Sequence, residues 1–377
     1  MCPTGCEHPM DKPLCLDSTI SAHSPLPPMA TPELLPPRRG ILAGGNWIID
    51  YVKIIDAWPV QDALASILRQ SASNGGAPYN VLKDLARLGA PFPLEAVGLV
   101  GDDENGRTIL ADCQAHRIDT RQLRTTSVAA TSYTDVMTVE GTGRRTFFHQ
   151  RGANAHLDVD HFDFSLTSAM LLHFGYLLLL DRLDLMVDGR PRATEVLRRA
   201  RAAGLQTSID CVSEDSERFQ AVIAPVLPEV DYFFANDFEA EKIAGIPLRQ
   251  NDSIHPGAVE QTARRLLEGG VQSWVVIHFP EAVYACDVHG HGFWQPSLRV
   301  PPAGIAGAAG AGDALVAGVL FGVHEGWPMT ECLRLGVCAA GSSLSHPTCS
   351  AGVLPVEACL ALAQRYGYRS MEPSDRP

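Results

Sequence analysis

Gly310-Ala311-Gly312-Asp313 stands between the small-residue run Ala303-Gly304-Ile305-Ala306-Gly307-Ala308-Ala309 and the apolar segment Ala314-Leu315-Val316-Ala317-Gly318-Val319-Leu320-Phe321-Gly322-Val323. A loop this poor in side chains bends sharply and aims several backbone N–H groups at one point. That point lies at the positive end of the following helix, where an anion is favoured. Asp313 sits in the first turn with no charged residue close in sequence. An anion cradle beside a lone carboxylate is the minimum equipment for moving a phosphoryl group onto a hydroxyl. The same four residues also read as a plain turn with Asp313 as helix cap. A membrane span is excluded by the central Asp and the glycines, because a charge at the bilayer centre costs about 2.5–3.5 kcal/mol. A helix apolar on every side is instead buried inside a globule. A carboxylate at its buried end must be hydrogen-bonded, paired or functional.

The rest of the chain is consistent with an enzyme rather than a polyanion binder. It has 377 residues, 46% hydrophobic and 19% charged, with a formal net charge of −13. That charge disfavours nucleic acid and offers no basic stripe for an anionic membrane, so neither is an expected partner. The ten cysteines are scattered, and those past residue 40 lie in apolar or helical contexts, as expected of reduced thiols in a cytoplasmic protein. Residues 1–39 hold nine prolines, three cysteines and no apolar run of signal-peptide length, and read as a disordered leader. Cys2, Cys6, His8 and Cys15 match no standard zinc spacing. Residues 371–377 read as a flexible tail.

From Ile41 onward, apolar strands alternate with amphipathic helices, the pattern of an α/β fold. Ile41–Ala43, Ala96–Val100, Met170–Leu180, Gln206–Cys211, Val230–Ala235 and Trp274–His278 read as buried strands. Helices are expected at Arg107–Arg117, Pro191–Ala203, Phe238–Ala244, Ala258–Glu268, Met329–Ser343 and Pro355–Tyr366, and one more opening at Asn74-Gly75-Gly76-Ala77. The extended segment from Ile48 to Ile55 and the hairpin Ser132–Val139/Arg145–Gln150 fit a central sheet poorly, and are expected to form a small separate β layer. No repeat or internal linker divides the chain, so one domain over residues 40–370 is expected.

Four motifs in order give this chain a resemblance to the ribokinase-like (PfkB) family of carbohydrate and nucleoside kinases, from about Ile41 to Tyr366. They are Gly45-Asn46-Trp47-Ile48-Ile49-Asp50; Asn74-Gly75-Gly76-Ala77-Pro78-Tyr79-Asn80 with Gly98-Leu99-Val100-Gly101-Asp102-Asp103-Glu104-Asn105-Gly106; Asn236-Asp237-Phe238-Glu239; and Gly310-Ala311-Gly312-Asp313. The resemblance implies a three-layer α/β/α sandwich, with a mostly parallel central sheet and a β lid from about residues 45–57 and 130–152. It implies ATP- and Mg²⁺-dependent phosphorylation of a hydroxyl on a sugar or sugar-like molecule. Asp313 would be the general base and Gly310, Ala311 and Gly312 the anion hole. Asp50, Asn46, Gly75, Gly76, Asn80, Phe148 and Arg151 would surround the acceptor, with His149 beside them. Asn236, Glu239 and His278 would face the nucleotide, Glu239 reaching Mg²⁺ through water. A lid-to-lid homodimer would cover bare strand edges.

Two departures limit what carries over. Gly307 and Ala308 replace the Asp-Thr that precedes the second signature, so dependence on a monovalent cation is not expected to follow. His278-Phe279-Pro280-Glu281-Ala282-Val283 lacks the glycines of the usual nucleotide turn, so base and ribose contacts must differ. A nucleoside kinase of the same fold and a catalytically silent carbohydrate- or nucleotide-binding protein remain the alternatives.

Overall fold

The computed structural model describes residues 37–214 and 216–370. The leader and tail expected at the two ends therefore fall outside the described residues, apart from 37–39. A nine-stranded sheet runs in the order Gly292–Pro296, Ala282–Asp287, Trp274–His278, Tyr232–Asn236, Gln206–Cys211, Leu171–Leu177, Ile41–Gly45, Leu94–Gly101, Asp119–Thr126. All neighbours from Trp274–His278 to Asp119–Thr126 pair in parallel, and the first two strands add an antiparallel edge.

Side chains alternate across a strand, so a strand apolar at every position must be covered on both faces. Ile41 and Ala43 enter one core with Leu82, Val316 and Leu335, whereas Leu42 enters the other with Phe174, Val196 and Val259. Helices Ala77–Leu88, Ala311–His324 and Met329–Ser343 cover the first face; Ala193–Ala202 and Pro256–Glu268 cover the second. This is the three-layer sandwich expected from sequence. Helix Ala311–His324 packs between helices Ala77–Leu88 and Met329–Ser343, in the core they share with the sheet, which accounts for its apolar surface all round. Burying a side chain such as Val319 or Leu320 contributes about 1.5–3 kcal/mol. Among the described residues no helix is long and apolar enough to cross a membrane. The seven described free cysteines are all buried.

A second sheet of four strands, in the order Ile67–Gly75, Ile48–Ile55, Tyr133–Val139, Arg145–Gln150, forms the lid. Its first strand is not evident in the sequence, because Ile67–Gly75 is almost wholly exposed and shows no apolar alternation. Backbone pairing to Ile48–Ile55 holds it instead. Asn74 and Gly75 consequently end a strand, and the helix expected to open at Asn74 begins at Ala77. Pro78 suits that first turn, and Gly89, in the left-handed conformation with φ 85°, closes the helix by donating to the carbonyls of Ala86 and Leu85.

Candidate active site

Asp313 lies in the first turn of helix Ala311–His324 and is 6% exposed. The turn before it needs Gly310, whose φ is 74° and whose absent Cβ would stand 2.6 Å from Cys349 Cβ. Amides of a first helical turn have no intrahelical acceptor. Ala311 N reaches the Ala308 carbonyl at only 3.5 Å, so Gly312 and Asp313 supply the better-placed donors of the cradle. Asn80 Nδ2 donates to Asp313 Oδ2 at 2.8 Å, and the Tyr176 hydroxyl donates to Oδ1 at 2.6 Å. Burial raises the Asp313 carboxyl to about 6, while these two hydrogen bonds pull the other way. The result is a carboxylate largely ionised at neutral pH yet far more basic than an exposed aspartate.

Asp50 approaches from the lid. It is raised to about 7, by burial first and then by the charge of Asp313, so the two carboxyls share one electrostatic environment. Gly75 is required beside it, since a Cβ there would overlap Asp50 Oδ2. Residues opposite one another in a sheet share a face. The register places Ser73, Asp50, Thr134 and His149 side by side. His149 Nδ1 and Thr134 Oγ1 are 2.9 Å apart, and burial lowers the imidazole to about 4, so it is neutral at pH 7. A cavity of about 240 Å³ adjoins this row, sharing Ser73 and Cys349 with the rim and extending to Tyr79, Lys83 and Asp112.

On the other side, Asn236 caps helix Asp237–Ala244 and forms a reciprocal box with Glu239. Glu239 Oε1 accepts from Ser213 Oγ (2.7 Å) and Asn236 Nδ2 (2.8 Å), and Oε2 accepts from Asn236 N (3.0 Å). Burial raises Glu239 to about 7 against these bonds, with Asp313 adding to the rise. Oε2 keeps acceptor capacity. Asp210 Oδ1, close enough to feel the charges of Asp313 and Glu239, is buried without a hydrogen bond, with His173 Nε2 3.8 Å away. Among the described residues no three acidic, histidine or cysteine side chains converge as a metal cluster, so a Mg²⁺ on this side would rest on one or two carboxylates and water. His278 packs on the cradle, 3.1 Å from where a Cβ of Gly312 would stand, and burial lowers it to about 4.

Not every expected residue reaches this site. Phe148 pairs with Asp135 and is therefore on the face opposite Asp50, 51% exposed and stacked on Trp58. The period of two assigns the inward position to His149 instead. Arg151 donates to the Leu178 carbonyl at 2.7 Å and pairs with Asp181 at 3.4 Å, so its guanidinium is engaged in holding the segment after the lid. Asn46 is buried and accepts from Tyr176 N at 2.9 Å, positioning the tyrosine that holds Asp313. Gly76, with φ 93°, abuts the Asn46 carbonyl. Tyr176 and Asp210 stand beside these residues as well. Tyr176 and Asp210 lie toward the C-terminal ends of parallel strands, where ligands gather in open α/β sheets, and that position is their sequence signal.

The chain belongs to the pfkB family of carbohydrate kinases, whose family model matches residues 46–356. It is similar to the 5-dehydro-2-deoxygluconokinase of Clostridium perfringens, 23% identical over 296 residues that span 75% of this chain and 82% of the relative. The ribokinase of Thermotoga maritima has the same fold, with a TM-score of 0.70 at 18% identity over 86% of this chain and 99% of its own. The ribokinase of Arabidopsis thaliana complexed with ribose and ATP matches with a TM-score of 0.69 at 17% identity, over 86% and 98% of the two chains.

Proposed function

We propose that this carbohydrate kinase transfers the γ-phosphoryl group of ATP to a hydroxyl of a sugar or sugar acid, with Asp313 as general base. One observation carries the reading: a buried carboxylate raised to about 6 stands at a glycine-shaped helix N-terminus and interacts with Asp50 on the lid. The 5-dehydro-2-deoxygluconokinase relative supports a sugar acid as one acceptor class, and the ribokinase complexed with ribose and ATP supports the nucleotide.

Asp50 and His149 hold acceptor hydroxyls, Asp50 as a carboxyl raised to about 7 that accepts once ionised and His149 as a neutral partner. Tyr176 and Asn80 fix the Asp313 carboxylate so that one oxygen accepts the hydroxyl proton as the acceptor oxygen attacks the γ-phosphorus and the bond to ADP breaks. The amides of Gly312 and Asp313, with Ala311 behind them, face the charge spreading over the phosphoryl oxygens. Mg²⁺, when bound, neutralises phosphate charge, and Asp210 and Glu239, the latter through water, are the residues that would hold it. His278 and Asn236 border the nucleotide side. The outer strands of the lid, Ile67–Gly75 and Arg145–Gln150, leave edges that a second copy of the lid would cover.

The test is ADP release with the purified full-length chain over sugars, sugar acids and nucleosides. Release with a sugar or sugar acid supports the proposal. Release with nucleosides alone assigns a nucleoside kinase, and ligand binding without release assigns a silent binding protein.

A further inference from the structure

Asn80 and Asp84 lie one turn apart on helix Ala77–Leu88, on the same face. Both are inside the protein, at 3% and 0% exposure. Asn80 commits its Nδ2 to Asp313, which leaves Oδ1 as an acceptor, and Oδ1 is buried without a partner. Both carboxyl oxygens of Asp84 are also buried without a partner, as is Ser350 Oγ beside them, in a residue 4% exposed. The Ser350 hydroxyl is the one neutral donor beside Asp84 and can serve a single oxygen, so an ionised Asp84 would leave the other oxygen unmet, next to the unmet Asn80 Oδ1 and near the negative charge of Asp313. An unpaired buried carboxylate takes up a proton rather than bear that penalty. Once protonated, Asp84 has an O–H to give, and the orphaned carbonyl of Asn80 is the acceptor a helical turn away.

We propose that Asp84 is a positioning residue that retains its proton and donates it in a hydrogen bond to Asn80 Oδ1, so that the Asn80 amide keeps its NH₂ toward the Asp313 carboxylate. The other groups around it agree. On its own helix, Lys83 pairs with Asp112 at 3.0 Å, and Arg87 donates to the carbonyls of Val353 (2.8 Å) and Ala351 (2.9 Å). That second contact clamps the loop carrying Ser350 over Asp84. Asp313 faces it from helix Ala311–His324, Cys349 and Ser350 from the loop, and Cys359 from helix Val356–Tyr366. Burial dominates and raises Asp84 well above the ordinary carboxyl range, Asp313 pushes the same way, and Ser350, Arg87 and Lys83 oppose it.

The inference rests on Asp313 as the base, but one of its tests does not. An infrared difference spectrum of the full-length protein, wild type minus Asp84→Asn, should show a protonated-acid carbonyl band that persists from about pH 6 to 8. Its absence overturns the proposal. In kinetics, Asp84→Asn retains a donor and should keep kcat within about threefold, with the acid limb of kcat/KM in place, whereas Asp84→Leu should lose about tenfold or more and move that limb to higher pH. A downward move of the limb in Asp84→Asn would mean that a negative charge had been removed, and equal behaviour of the two variants would mean that no hydrogen bond was involved; either overturns the proposal. Should Asp84→Leu fail to fold, the spectrum and the Asn profile still decide. Full activity in Asp313→Asn would defeat the base assignment and leave the infrared result standing.

Discussion

Replacing Asp313 with Asn should separate chemistry from stability, moving them in opposite directions. The carboxyl is raised from 3.8 to about 6 because the fold buries it. A folded-state value above the unfolded one means that the stabilising contribution is complete below about pH 4, declines as pH rises through about 6, and is flat beyond. At about 1.4 kcal/mol per pKa unit, the folded protein at pH 8 carries up to about 3 kcal/mol from keeping this group ionised. Asn is isosteric and keeps one carbonyl oxygen, to which Asn80 Nδ2 can still donate, while its NH₂ takes the other oxygen's place and donates to the Tyr176 hydroxyl, turned to accept; both bonds are weaker than those to an anion. The variant should therefore be about 1–2 kcal/mol more stable than wild type at pH 8 and little changed at pH 4. Loss of the base should lower kcat by about 10²–10⁴, with a modest change in KM for the acceptor. Urea unfolding at the two pH values and ADP release on one preparation measure both effects. A kcat within about tenfold of wild type, or a variant less stable than wild type at pH 8, refutes the reasoning.

Asp50→Asn should raise KM for the acceptor by about tenfold or more and change kcat less, since it replaces an anionic acceptor by a neutral one; steady-state kinetics on the sugar tests this. Gly75→Ala should raise KM similarly, because the added methyl overlaps Asp50 Oδ2, and an unchanged KM would place the acceptor elsewhere. Gly310→Ala should destabilise by about 1–3 kcal/mol and abolish most turnover, through a positive φ and collision with Cys349, as read by thermal unfolding and ADP release. Phe148→Ala should leave acceptor KM within about twofold, because the ring faces away from Asp50.

What the sequence disclosed follows from how each signal is carried. Strands such as Ile41–Gly45 and Trp274–His278 are apolar throughout because both faces are covered, and that shows in one dimension. Ile67–Gly75 and Asp119–Thr126 are edge strands held by backbone bonds, which leave no apolar pattern. Motif residues that act from their own loop, Asp313 and the Asn236–Glu239 box, were legible. Residues that act across the fold were less so: Tyr176 reaches Asp313 over 137 positions, and nothing local to Gly175-Tyr176 announces the partner. Phe148 against His149 is a question of strand parity, which one extended segment read alone does not settle.

The way the site restrains its carboxylates bears on why they are buried at all. An arginine against Asp313 would hold it in place but would drive its proton affinity down, as opposite charges do. Asn80 and Tyr176 are neutral donors, and Ser213 and Asn236 do the same for Glu239. Neutral donors fix position while lowering basicity less than a cation would, so desolvation prevails and Asp313 settles near 6. A base that strong must be ionised to work, which confines activity to pH above about 6 and predicts an acid limb there in kcat/KM. Introducing a cation at the edge of this shell, as in Asn80→Lys, should move that limb down by a unit or more and weaken catalysis in proportion to the lost basicity. If the limb stays near 6 in a folded Asn80→Lys variant, the limb belongs to another group, and Asp313 is not the base that sets it.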